Sequence, residues 1–424
     1  YNDAVTIANN PILTGNGITF NSTLDGNSDI TANVGASNLS FNGAVGNTTA
    51  LGNITANSTG TTTFNAVNAA SMTTDAGGTT QLNGNVTTTG SQTYADAVTI
   101  ANNPIISGSD VTFNNTVDAS NIGSDLTVNG GADNITFNGA VGNTKALGNI
   151  TANSTGTTGF NQTVNAASLT TDAGGTTQVK GNVTTIGSQT YADAVTIANN
   201  PILSGSDITF NNTVDGTSDL TANAVSGNVT FNGAVGAASA IGNLTANSTG
   251  TTAFNQTVNA ASLTTDAGGT TQLNGNVTTT GSQTYGDAVT IANNPILSGS
   301  GITFNDTVNG SSDLTVNGGT GNVTFNGAVG AANAIGNLTA NSTGTTAFNQ
   351  TVNATSLTTE AGGTTQVKGN VTTTGAQTYG DAVTVATNPI LSGSGITFND
   401  TVNGSSDLTV NGGAGNVTFN GAVG

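Results

Sequence analysis

The groups with most chemistry to offer in this sequence are its acids. It has no His, Cys, Trp or Arg, and Lys145, Lys180 and Lys368 are the only cations against 22 acids. Asp381 precedes Ala-Val-Thr-Val, and further on Asp407 precedes Leu-Thr-Val. Asp287 and Asp313, Asp193 and Asp219, and Asp3 and Asp29 keep the same separation as that pair, while Asp96 and Asp125 lie further apart, with extra residues at 119–121. If these phrases fall in successive coils of a repeating fold, each pair sets two carboxylates about one coil spacing apart. Like charges so placed repel and raise one pKa, unless a cation bridges them, and Ca²⁺ takes oxygen ligands. The spacing therefore predicts one weak Ca²⁺ site per long repeat, against the plainer expectation of two solvated carboxylates. No other cofactor is expected. The calcium-solenoid pattern G-G-x-G-x-D is not met, since Gly318-Gly-Thr-Gly-Asn322 ends on Asn.

Paired acids also serve glycosidases. Solenoid polysaccharide lyases need a base and cationic groups, which three scattered Lys do not supply. Near-identical copies of the phrases offer no unique cleft, so no enzyme is expected. A net charge of −19 leaves a phosphate-binding role without the cations it needs, so no nucleic-acid partner is expected, and it disfavours an anionic membrane surface. No apolar run approaches the length of a membrane span. The charge would keep molecules soluble and apart.

The acids need a frame, and the frame is repetitive. Tyr occurs at 1, 94, 191, 285 and 379, and Pro11, Pro104, Pro201, Pro295 and Pro389 keep step. The long repeats are 1–93, 94–190, 191–284, 285–378 and a partial 379–424, and ITFNDTVNGSSDLTVNGG recurs identically at 302–319 and 396–413. All fourteen Phe are followed by Asn. Phe304 to Phe325 is 21 residues and Phe325 to Phe348 is 23. Thr373 then stands in the Phe place, 25 after Phe348 and 25 before Phe398. With Thr88, Thr185 and Thr279 in the same role, this spacing divides each long repeat into four units.

Alternation of Val, Ile, Leu and Phe with Thr marks half-buried strands, and Gly, Asn and Ser separate them. No 3.6-residue period appears. Units of 21–25 residues fit the turns of a parallel β-solenoid, which buries its apolar face only by stacking. Blades of a propeller need more residues, and an array of sandwiches of about 94 residues would not need the short period. The expectation is one continuous solenoid over 1–424, about 18 coils, four per long repeat, forming a rod roughly 85 Å long at about 4.8 Å per coil. Phe304, Phe325 and Phe348 should stack inward. Asn305, Asn326 and Asn349 should turn the chain at a corner, tolerating left-handed angles, and bond coil to coil as amide ladders do. Thr on the other side of each strand should face solvent, as a plain soluble strand former or as a flat array for glycan or ice. Asn-x-Ser/Thr sequons such as Asn57-Ser-Thr follow from the composition.

The phrases NGNVTTTGSQTYGDAVTIANN (274–294), TFNGAVG and SLTTDAGGTTQLNGNV (262–277) resemble the β-strand-repeat regions of bacterial surface proteins of the filamentous-haemagglutinin and autotransporter-adhesin type. The resemblance runs over the whole chain. It implies a right-handed parallel β-helix, secretion to the cell surface, and a role as stalk, adhesin shaft or matrix fibre. It carries no catalytic motif. The partners to expect are then further lengths of the same chain, other copies associating end to end or laterally, and a glycan. Because the sequence opens and closes inside recurring phrases, it reads as a window on something longer.

Overall fold

The computed structural model describes residues 1–424 and contains strands, turns and no helix. Every strand pairing in register is parallel and joins a strand to its counterpart one turn on, so the chain is a parallel β-solenoid of about 22 turns. It packs as two compact units, Tyr1–Asn212 and Thr213–Gly424.

In the first unit one column of inward residues runs Val5, Leu24, Val45, Val67, Val86, Ile106, Val128, Ala152, Thr171, Tyr191, Phe210. In the second, another runs Ile302, Val323, Thr346, Thr365, Val383, Val402, Val423. The turns read from these columns are unequal. Those from Val67 to Val86 and from Thr365 to Val383 are shorter than any spacing between successive Phe.

Each turn has three faces. Around one turn of the second unit these are Thr364–Val367, Val371–Thr373 and Gln377–Tyr379. In the turn before, the eight-residue strand Val352–Thr359 spans two faces. Its first half pairs with Val371–Thr373 and its second half with Gln377–Tyr379. β-branched and aromatic side chains alternate inward with Thr outward, so the pleat sends one set to the core and the other to water. Phe304, Phe325, Phe348 and Val367 are at most 1% exposed.

The phrase NVTFNGAVG shows how a corner is made. Val323–Phe325 is the strand, and Val329 makes single bridges to Val308 and Val352. Gly327 passes so close to the turn before it that a Cβ would lie 2.3 Å from the Asp306 carbonyl carbon. Gly330 has φ 68°, left-handed, and a Cβ there would meet the Asn353 carbonyl oxygen at 2.1 Å. Both positions require glycine, one for space and one for backbone angle as well.

This geometry corrects the division of the long repeat. Thr373 does not occupy the Phe place: it stands over Ala354, while the Phe348 column continues to Val367 and Val385. Thr88, likewise, stands over Ala69, and Phe64 continues to Leu82 and Ile100. Thr185 and Thr279 stand over Ala166 and Ala260. The aromatic stack in fact opens on Tyr. From Tyr285 the chain makes four turns, through Phe304, Phe325 and Phe348 to Val367. Two further faces, Val371–Thr373 and Gln377–Tyr379, bring the next Tyr. A long repeat is therefore four turns and two faces, not four coils, because several corners are shorter than the Phe spacing suggests. Each repeat starts its aromatic stack on a different face from the one before.

Candidate functional site

The ten aspartates singled out by spacing separate into two environments. Asp96, Asp193, Asp287 and Asp381 are at most 1% exposed. Each turns inward at a corner and accepts from the turn before. Asp96 takes the Gly78 N–H at 2.8 Å and the Thr80 hydroxyl at 3.0 Å. Asp193 takes those of Gly175 and Thr177, and Asp381 those of Gly363 and Thr365. Asp287 is held more loosely, by Gly269 at 3.5 Å and Thr271 at 3.3 Å. Burial pushes the carboxyls of Asp96, Asp193 and Asp287 above their ordinary value. Their hydrogen bonds oppose this, and nearby Asp75, Asp172 and Asp266 add to it. Asp3 is exposed.

The intended partners lie elsewhere. Oδ1 of Asp29, Asp125, Asp219 and Asp313 accepts the main-chain and side-chain N–H of Asn53, Asn149, Asn243 and Asn337, one turn on. The N–H of Asp29, Asp125, Asp313 and Asp407 donates to Asn10, Asn103, Asn294 and Asn388. Asp125 is thus in register with Asn103 and not with Asp96. The carboxylate pairs proposed to bridge a Ca²⁺ are not formed, and no group of three or more acids is gathered to hold a metal. The separation within each pair exceeds a turn, and the excess carries the second Asp past the corner onto another column. Acids do stand over one another at a different spacing, in two places. Val289 pairs with Val308 and Val383 with Val402, which sets Asp287 over Asp306 and Asp381 over Asp400, and Asp306 also pushes the Asp287 carboxyl upward.

The Phe–Asn reading holds in its main part. Ring centroids of Tyr285, Phe304, Phe325 and Phe348 are 4.8 to 5.3 Å apart, with planes within 11°. Asn326 donates its side-chain N–H to Asn305 Oδ1 at 3.0 Å, and Asn349 donates to Asn326 at 2.8 Å. The left-handed angles fall on other residues: Asn293 and Asn294 with their equivalents before Pro, and Thr387 with Asn388. The ladder ends at Asn161 and Asn349, whose Oδ1 atoms are buried without a partner. There the next turn presents Lys180 or Lys368, where other repeats have Asn83 or Asn274 to donate.

Threonine divides in two. Thr62, Thr158, Thr252 and Thr346 point inward and are fully buried, against the expectation that Thr faces solvent. The outward threonines form single-file ladders, one residue per turn. In the first unit Thr31, Thr55, Thr73, Thr93, Thr112 and Thr136 are in register. In the second unit two such ladders run, one over Thr221, Thr245, Thr264, Thr284, Thr303 and Thr324, the other over Thr315, Thr339, Thr358, Thr378, Thr397 and Thr418. Neighbours in a ladder are about 4.8 Å apart. Sequence alternation signals these positions, but not that they align. Beside the ladders lies a groove of about 400 Å³ lined by Thr88, Ser107, Gly108, Ser109 and Asn129, with the acid Asp133 at its edge. A groove of about 430 Å³ recurs at Thr373, Ser392, Gly393, Ser394 and Asn411.

No family model, curated protein or solved structure matches this chain.

Proposed function

We propose that this chain is a structural β-solenoid segment, part of an extracellular fibre or of the shaft of a large bacterial surface adhesin, and that it catalyses no reaction. The observation that carries the reading is the uniformity of its polar chemistry. Side-chain hydrogen bonds run from turn to turn and recur from repeat to repeat, as in the Asn305–Asn326–Asn349 ladder, so they serve the stack and not one cleft. Self-association, or continuation of the same chain, follows from such a stack. Electron microscopy and fibre diffraction of the native material test this. The reading predicts thin filaments with an axial repeat of about 4.8 Å; dispersed globular particles would overturn it.

A second reading has a specific observation in its favour. Six aligned hydroxyls on a flat face, Thr315 to Thr418, with a neutral Ser/Gly/Asn groove beside them, suit a neutral polysaccharide or an ordered water layer such as ice. Glycan-array binding or inhibition of ice recrystallisation by the isolated chain, abolished when Thr358, Thr378 and Thr397 are changed to Lys, would establish it. A chain inert in both assays would leave the structural role alone.

A further inference from the structure

One phrase in each long repeat buries three hydrogen-bonded polar side chains together in the core. It reads G-[SA]-Q-T-Y-[AG]-D, at 90–96, 187–193, 281–287 and 375–381. Its three inward side chains are Gln, Tyr and Asp, and all are 1% exposed or less. Above and below Gln283 the same column holds Leu244, Leu263, Ile302 and Val323. Any of these aliphatic side chains fits over any other, so nothing in them fixes which turn stacks on which. Weakly specified register is the hazard of repetitive strands.

The polar phrase does have fixed demands. Tyr285 donates its hydroxyl to Gln283 Oε1 at 2.9 Å. Gln283 Nε2 donates to Thr279 Oγ1 in its own turn at 3.3 Å and to the Ser298 carbonyl of the next turn at 2.9 Å. Asp287 reaches back to Gly269 and Thr271 in the turn before. Three successive turns are tied by one phrase. The network is the same at Gln92–Tyr94–Asp96, Gln189–Tyr191–Asp193 and Gln377–Tyr379–Asp381.

We propose that this buried Gln–Tyr–Asp phrase is a register key: it selects which turn stacks on which, and adds little net stability. If the stack slips by one turn, the amide, the phenol and the carboxylate are left buried without their partners, which is costly, while every aliphatic contact is preserved. Buried polar groups that fix register at no gain in stability are known from other repetitive folds.

The chain has no cysteine, so engineered pairs report register. Thr93 and Thr112 are neighbours in register, whereas Thr93 and Thr136 are two turns apart, beyond the reach of a disulfide, about 7 Å between Cα atoms. In the parent chain T93C/T112C should oxidise readily and T93C/T136C should not. A key-free chain is then made by changing the four Gln to Leu, the four Tyr to Phe, Thr80, Thr177, Thr271 and Thr365 to Val, and the four Asp to Ala. It is expected to keep its β circular dichroism and its melting temperature. In it the T93C/T136C disulfide should form about tenfold or more faster than in the parent. A two-turn disulfide that stays at the parent rate overturns the proposal. If the sixteen-fold chain fails to fold, the eight-fold Gln→Leu, Tyr→Phe chain decides by the same cysteine pairs, and its failure to fold overturns the proposal too, because the network would then be supplying stability.

Discussion

Thr387 occupies a position that four earlier repeats give to Asn: Asn9, Asn102, Asn199 and Asn293. Its φ of 62° is left-handed, which a β-branched residue adopts only under strain. Asn tolerates it better, so Thr387→Asn should raise stability by about 1 kcal/mol, read as a shift of the urea midpoint at constant slope. The buried acids give a second prediction at this scale. Folded-state values of Asp96, Asp193 and Asp287 lie above their ordinary value, chiefly through burial. A group raised on folding contributes its full stability at pH below its unfolded value and loses it as pH rises through the folded value. The groups facing them, Asp75, Asp172, Asp266 and Asp306, are also acids and push the same way. The melting temperature should therefore rise from neutral pH towards about pH 4, the reverse of common acid denaturation. Changing the three to Asn should flatten that slope; a slope left intact by the triple change would assign the effect to net charge alone.

The strand and its neighbours above and below are the next scale. Phe325 is 1% exposed and stacks on Phe304 and Phe348. Phe325→Ala should cost about 3–5 kcal/mol, the usual loss for a buried aromatic truncated without collapse. The amide ladder allows a gain. Asn349 Oδ1 is buried without a donor because Lys368 follows it in the column, whereas Asn274 serves Asn255 at the equivalent place. Lys368→Asn should complete the ladder and stabilise by roughly 0.5–1.5 kcal/mol, measured by chemical denaturation. At this scale the sequence was most readable. Alternation exposed the strands, and the invariable Phe–Asn pair exposed both the stack and the ladder. What it hid was turn length. Corners such as Tyr285-Gly-Asp-Ala-Val289 are short, with Asp287 folded inward, and nothing in the spacing between Phe residues says so. For the same reason the evenly spaced Asp pairs missed each other. Gln283 and Tyr285 went unread as core residues because both carry polar groups, and their partners are assembled only by the stack.

Over the whole molecule, stability in such a stack is approximately a sum over turns and their interfaces. The junction between Thr93 and Tyr94 repeats at Thr190 and Tyr191, so residues 94–190 can be removed without creating a new join. The shortened chain should fold to the same β structure, with a denaturant slope reduced in proportion to its length. Loss of structure in the repeat deletion, seen by circular dichroism, would show that the long repeat is not the modular unit.

The two extra faces in each long repeat have a consequence for display. Within the first unit the exposed Ile12 and Ile105 belong to the same phrase one repeat apart. Four turns and two faces separate them, about 22 Å along the stack at 4.8 Å per turn, and roughly two-thirds of a revolution around it. Groups attached at such positions would climb like the treads of a spiral stair, each clear of the one below. A surface built this way presents a single short phrase towards several sides.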